Sequence, residues 1–213
     1  MSVPDPEPLL ISRNPLPAAI TGDLLAQLTF IVEVDRMKAV LRQSWVVAVD
    51  RPENDAEHSW HLALMAIVLA EHAREPVDVA RVVELVVLHD LVEVYAGDAP
   101  LHDEAARAGQ EERELAAAGR LYALLPDEQG ARLRAAWDEF EAHVTPEARF
   151  ARSMDRLQPL LLAWMTGGKG REEGVTAASI RERLAIIADG SPDLWAAAEV
   201  LIDESERRGH FGG

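Results

Sequence analysis

The chain has 213 residues, of which 48% are apolar and 27% charged. These values fit one globular domain with a sizeable core and exclude a disordered chain. Its 21 Lys and Arg stand against 37 Asp and Glu, a net charge of −16. That balance argues against a nucleic-acid polymer or an anionic membrane as main partner. It leaves room for a small anionic substrate received by a cation or a local basic patch. Cysteine is absent, which excludes disulfides, thiolate metal sites and a cysteine nucleophile and fits a cytoplasmic protein. The start, Met1 to Pro8, lacks a basic segment and carries Pro4, Pro6 and Pro8, so it does not read as a signal peptide. The longest apolar run, Leu62 to Ala70, is nine residues, about half of the ~18 that a bilayer span requires.

In chain order, residues 1–22 read as a Pro-rich arm. Asp23 is placed to cap a helix reaching about Leu41, and Ser44 to Asn54 reads as a loop broken by Pro52. Asp55 is placed to cap a second helix, Ala56 to Ala73, with Leu62, Met65, Ala66 and Leu69 as its apolar stripe. Pro76-Val77-Asp78 starts a third, from about Val79 to Ala96, closed by Gly97. A charged helix is expected over 104–125 and another from Asp127 to about His143. Thr145-Pro146-Glu147 is a strong start signal for a helix reaching Met165 and stopping at Gly167-Gly168. The glycine-rich connector Gly167 to Gly174 precedes two last helices, about 177–188 and 192–208, the second opened by Ser191-Pro192. No run alternates with period two over a strand's length. The expectation is an all-α single domain of about eight helices over 23–208, with a tail at 209–213. Trp60, Trp137, Trp164 and Trp195 read as core residues rather than base-stacking platforms.

Three places interrupt this pattern with ionisable groups. His58 and His61, three apart, share the face that continues through Leu62 and Met65, so a polar imidazole heads a core stripe and needs a partner or a metal. The plainer reading is a capping or hydrogen-bonded core histidine. His89 and Asp90 interrupt the apolar run Val82 to Val94, with Glu93 four residues after His89 and Asp98 just beyond Gly97. Such groups are costly in an apolar helix unless paired or coordinated; a buried His–Glu pair is the alternative to a functional cluster. Asp155 lies mid-helix, and Pro159 cannot donate to its carbonyl, so a kink is expected beside a carboxylate. A surface Asp–Arg pair on a kinked helix is the plainer alternative. Together His58, His89, Asp90 and Asp155 offer two imidazoles and two carboxylates, a donor set suited to Mn, Fe, Co, Ni, Zn or Mg. Such an ion lowers the pKa of a bound water towards ~7.

The ordered set His58, His89-Asp90 and Asp155 on an all-α chain resembles the signature of the HD-domain metal-dependent phosphohydrolases. Glu53-Asn54-Asp55-Ala56-Glu57-His58-Ser59 and His89-Asp90-Leu91-Val92-Glu93-Val94-Tyr95-Ala96-Gly97-Asp98 resemble its 5′-deoxynucleotidase-like branch. So do Leu124-Leu125-Pro126, Ala148-Arg149-Phe150 and Asp155-Arg156-Leu157-Gln158-Pro159-Leu160. The resemblance spans about residues 24–205. It implies an HD-type helical bundle with His58, His89, Asp90 and Asp155 as ligands of one divalent metal. The missing Gly-Lys continuation after the HD pair favours one metal over two. Glu93 and Asp98 become the carboxylates of catalysis, and Arg42 the group that meets the substrate phosphate. The spacing Arg42-Gln43-Ser44-Trp45 and the length of the loop to His58 depart from the branch, which bears on sugar selectivity.

His61 could face the open coordination side or the phosphate. Lys169 and Arg171, in the glycine-rich connector, could fold over an anionic substrate as a lid; a solvated turn is the alternative. The expected reaction is hydrolysis of a (deoxy)nucleoside 5′-monophosphate, with a small phosphorylated substrate as partner and neither polymer nor membrane. The apolar helices leave room for a homodimer, which the branch often forms. Two rival readings stand beside this one. The first is an HD hydrolase acting on a triphosphate, a cyclic nucleotide or a sugar phosphate. The second is a metal-stabilised helical protein without turnover.

Overall fold

A computed structural model describes residues 8–97, 109–171 and 174–211. The fold is all-α apart from one short hairpin. Among the described residues the helices are α1 (Gly22–Val34), α2 (Asp55–Leu69), α3 (Val79–Leu88), α4 (Glu93–Ala96), α5 (Gln110–Tyr122), α6 (Asp127–Ala142), α7 (Pro146–Met165), α8 (Ala177–Leu184), α9 (Ile187–Gly190) and α10 (Pro192–Arg207). Eight of these exceed a single turn, α4 and α9 being four residues each. None is long and apolar enough to cross a membrane. The start signals at Thr145 and Ser191 are real: their hydroxyls accept from the N–H groups of Ala148 and Leu194, and proline opens both helices.

Four expectations are corrected. Asp23 does not cap α1; Thr21 precedes it, with no side-chain cap bond. The helix does not reach Leu41 but passes into a 3-10 turn at Asp35–Ala39. The loop expected from Ser44 to Asn54 lies largely within an antiparallel hairpin, β1 (Leu41–Trp45) with β2 (Pro52–Asn54). The helix expected over 79–96 is broken: α3 ends at Leu88, His89 to Val92 form turns, and α4 follows.

The chain divides into two compact units. Residues 1–40 and 91–135 form the first. Its core gathers Phe30 and Met37, Val94 of α4, and Ala117, Ala118, Leu121 and Tyr122 of α5, all buried. The Phe30 and Tyr122 rings stack at 6.4 Å. Glu33 is fully buried at the end of α1. Its carboxylate accepts from Leu10 N (2.7 Å) and the Tyr95 hydroxyl (3.0 Å) and pairs with Arg36 Nε (2.7 Å). One carboxylate thus ties the segment around Leu10, α1 and α4 together. Gly97 closes α4 at φ +75°, a conformation that an L side chain resists.

Residues 41–90 and 136–213 form the second unit. Its axis is α7, 20 residues or about 30 Å long, packed against α2, α3, α9, α10 and β1. Phe150, Ala151, Met154 and Leu157 of α7 bury against Leu62 and Ala66 of α2, Val82, Leu85 and Val86 of α3, and Ile187 of α9. The helix runs on through Pro159. At Gly190 a Cβ would collide with Arg149 O and Ser153 Oγ, so glycine is what lets α9 lie against α7. Trp137 is buried, but Trp60 is 66% exposed, against the expectation of a core residue.

Candidate metal centre

The second unit brings the four expected donors to one place. His58 stands in the first turn of α2. That turn starts one residue earlier than expected: Asn54 caps it, accepting from Glu57 N (3.0 Å), and Glu57 answers by accepting from Asn54 N (3.1 Å). Asp55 is thereby released from capping and accepts from Arg42 Nη1 (3.2 Å). His89 follows the last turn of α3. Its backbone is held by its N–H to Leu85 O and by Trp137 Nε1 donating to its carbonyl (3.1 Å). Asp155 projects from the middle of α7 and is buried, which removes the surface-pair alternative.

Around these side chains the distances are short. His58 Nε2 lies 3.2 Å from Asp155 Oδ1 and 3.8 Å from Asp90 Oδ2. His89 Nε2 lies 3.0 Å from Asp90 Oδ1 and 3.6 Å from Asp155 Oδ1. Donors held ~2.0–2.2 Å from a common ion stand roughly 3–3.5 Å from one another; single donor atoms of His58, His89 and Asp155 lie within 4.8 Å of one another, and Asp90 stands against them through the two histidines. His89 Nδ1 donates to Val86 O (2.8 Å), while its Nε2, buried among the carboxylates, completes no hydrogen bond. Facing two carboxylates, this nitrogen is held protonated by charge pairing.

The electrostatics sort the two imidazoles. Burial, reinforced by Arg42, lowers His58 to about 4 and keeps it neutral. Burial also opposes charge on His89, but Asp90 and Asp155 outweigh it and raise His89 to about 10. Asp90 and Asp155 are held well below the ordinary carboxylate range: burial opposes this, His89 and Arg42 outweigh it at Asp90, and Arg156 and the two histidines do so at Asp155. Asp155 Oδ2 faces Arg152 (3.8 Å) and Arg156 (3.7 Å), leaving Oδ1 for the centre.

Of the other expected residues, Arg42 is at the site, its Nη1 donating to Asp90 Oδ2 (2.8 Å). His61 is half-buried and reaches Gln158 Nε2 through Nδ1 (3.3 Å). Lys169 and Arg171 are engaged elsewhere. Lys169 pairs with Asp50 and lies over the Trp45 ring, while Arg171 donates to His210 O and stacks on Phe211. Glu93 opens α4 in the first unit, half-buried. Asp98 lies outside the described residues. Three buried participants, Glu53, Asp55 and Gln158, stand within the quoted motifs; from the sequence Asp55 has only a capping role and the other two have none. Gln158 could have been found from its place three residues after Asp155, on the same helical face.

A mainly helical unit with His58, His89-Asp90 and Asp155 converging defines a class, and the chain belongs to the HD domain family, whose model matches residues 34–195. Within it the chain is similar to a predicted metal-dependent phosphohydrolase from Magnetospirillum magnetotacticum MS-1. That crystal structure is 48% identical, with a TM-score of 0.84, covering 90% of this chain and 96% of the other. It is also similar to the 5′-deoxynucleotidase HDDC2 of Bos taurus, 32% identical over 64% of this chain and 65% of that protein. The same enzyme of Homo sapiens is 31% identical over 64% of this chain and 66% of its own length. The chain thus matches just under two thirds of the length of these two HDDC2 proteins.

Proposed function

We propose that the chain is a metal-dependent phosphomonoesterase that releases phosphate from a nucleoside or deoxynucleoside 5′-monophosphate, with one divalent cation held by His58, His89, Asp90 and Asp155. The observation that carries this reading is the buried convergence of two imidazole Nε2 atoms and two aspartates at 3.0–3.8 Å. The likeness to the HDDC2 deoxynucleotidases supports the substrate class. When bound, the cation supplies Lewis acidity toward a phosphate oxygen and an acidified water. The chain's own residues do the rest. Asp155 and Asp90 supply negative charge, and Arg42, beside Asp90, offers a guanidinium to phosphate oxygens. For Glu93 the support is its place in the sequence, three residues beyond Asp90; its role is to exchange protons with the attacking water. Asp98 is proposed beside it on the same ground. His61, Lys169 and Arg171 stand further from the reading, since each already has a partner. The cysteine-free composition supports work in the cytoplasm.

The test is phosphate release from deoxynucleoside and nucleoside monophosphates, triphosphates, cyclic nucleotides, sugar phosphates and oligonucleotides, with Mn, Co or Mg. Monophosphates should be turned over, EDTA should stop turnover, and restored metal should revive it. Glu93→Gln should keep the metal and lose roughly 10²-fold in rate. Inert monophosphates beside good turnover of triphosphates or cyclic nucleotides would sink the substrate assignment.

A further inference from the structure

Gln158 is fully buried and touches two other elements of the second unit. Its Nε2 donates to Glu53 Oε2 of β2 (2.9 Å) and meets His61 Nδ1 (3.3 Å), and its Oε1 faces His58 Nδ1 (3.1 Å). The carboxylate decides the orientation of the amide. Burial pushes the Glu53 carboxyl up, opposed by the Gln158 hydrogen bond and by Arg42; ionised, it only accepts, so the NH2 end of Gln158 points to Glu53 and the carbonyl end is left for His58. A carbonyl oxygen also only accepts, so His58 must carry its proton on Nδ1. Its Nε2, 3.2 Å from Asp155 Oδ1, is then the nitrogen left bare for a cation, with the Gln158 carbonyl competing against the Asp155 carboxylate for the one proton of the ring. The reversed amide would set an N–H against His58 Nδ1 and move the histidine proton to the nitrogen that faces the carboxylates.

We infer that Glu53 and Gln158 are positioning residues: Glu53 fixes the amide of Gln158, and the amide fixes His58 in the tautomer that a cation requires. The inference rests on the metal-centre reading above and adds to it two residues that touch no substrate. His89 reaches the same end by another route, through Val86 O. A partner on the far nitrogen of a ligating histidine is typically worth roughly 10–100-fold in metal affinity.

Two near-isosteric variants test it. Glu53→Gln provides an amide that can donate as well as accept, so Gln158 is free to reverse. Gln158→Met removes the acceptor while keeping the length of the side chain. In metal-free protein with 15N-labelled histidine at pH 8, long-range 1H–15N spectra report the tautomer of His58, assigned through its loss in His58→Gln. Calorimetric titration with Co2+ alone reports affinity. The wild type should show His58 protonated on Nδ1. Both variants should admit the Nε2–H form and bind Co2+ roughly 10–100-fold more weakly. A wild-type His58 protonated on Nε2 would overturn the inference. So would variants that keep the Nδ1–H form with Co2+ affinity within about twofold of wild type. Should one variant fail to fold, the other reads the same tautomer. The tautomer is read without metal or substrate, so the result stands apart from the wider proposal. A wild type that binds Co2+ but hydrolyses no monophosphate ends the substrate reading alone, and one that takes up no Co2+ ends the metal-centre reading.

Discussion

The two histidines of the centre sit in one buried cluster yet shift in opposite directions. His58 falls to about 4, because burial and Arg42 disfavour its charge. His89 rises to about 10, because Asp90 and Asp155 outweigh burial. Both must offer a bare nitrogen to a cation, so at neutral pH only His89 has a proton to give up. Binding Mn2+ at pH 7.5 should therefore release about one proton, and affinity should rise about tenfold per pH unit in this range. Calorimetry in two buffers of different ionisation enthalpy measures the proton count, and a count near zero would contradict the assignment. The same shifts set the metal-free stability. A group raised when folded stabilises below its unfolded pKa, so the His89 contribution is complete below about 6.5 and fades as pH climbs to about 10. His58 works the other way, its burial costing stability as pH falls from about 6.5 to about 4.

At the level of elements, legibility followed the direction in which side chains point. Helices that bury an apolar stripe and open with Thr-Pro or Ser-Pro announced themselves. The hairpin did not, because β1 is inverted: Leu41 is 61% exposed whereas the side chain of Arg42 is only 14% exposed. A strand that turns polar residues inward carries no hydrophobic alternation. The break after Leu88 was equally silent, since the run from Val82 to Val94 contains neither proline nor glycine. The four proposed ligands stood out for the opposite reason, as polar groups standing where apolar ones were due. Glu53 and Gln158 were hidden because their work consists of facing each other across 105 residues.

The packing of α9 on α7 gives the test at this scale. Gly190→Ala would force a methyl against Arg149 O and Ser153 Oγ and should cost about 1–3 kcal/mol. That loss is read from the urea midpoint at unchanged slope. An unshifted midpoint would mean that the two helices can part at no cost.

For the molecule as a whole, the charge of −16 discourages long polyanions, while arginines 42, 152 and 156 gather at or beside the centre. Guanidinium groups gathered at one place on a negative protein favour small anions over polymers. Composition made that contrast legible in outline, and only the fold could say which cations gather. The remaining consequence belongs to Glu33, which holds the segment around Leu10, α1 and α4 by a single carboxylate. Such a group behaves as a keystone, so trimming the amino end should be felt in the helix that Glu93 opens. A chain beginning after Arg13 would leave Glu33 without its Leu10 donor and Arg36 without Pro8 O, at about 1–3 kcal/mol for a buried acceptor left short of a donor. Hydrogen exchange should then quicken at Tyr95, Ala96 and Gly97. Equal exchange in the trimmed and intact chains would show that the amino-terminal segment merely decorates the fold.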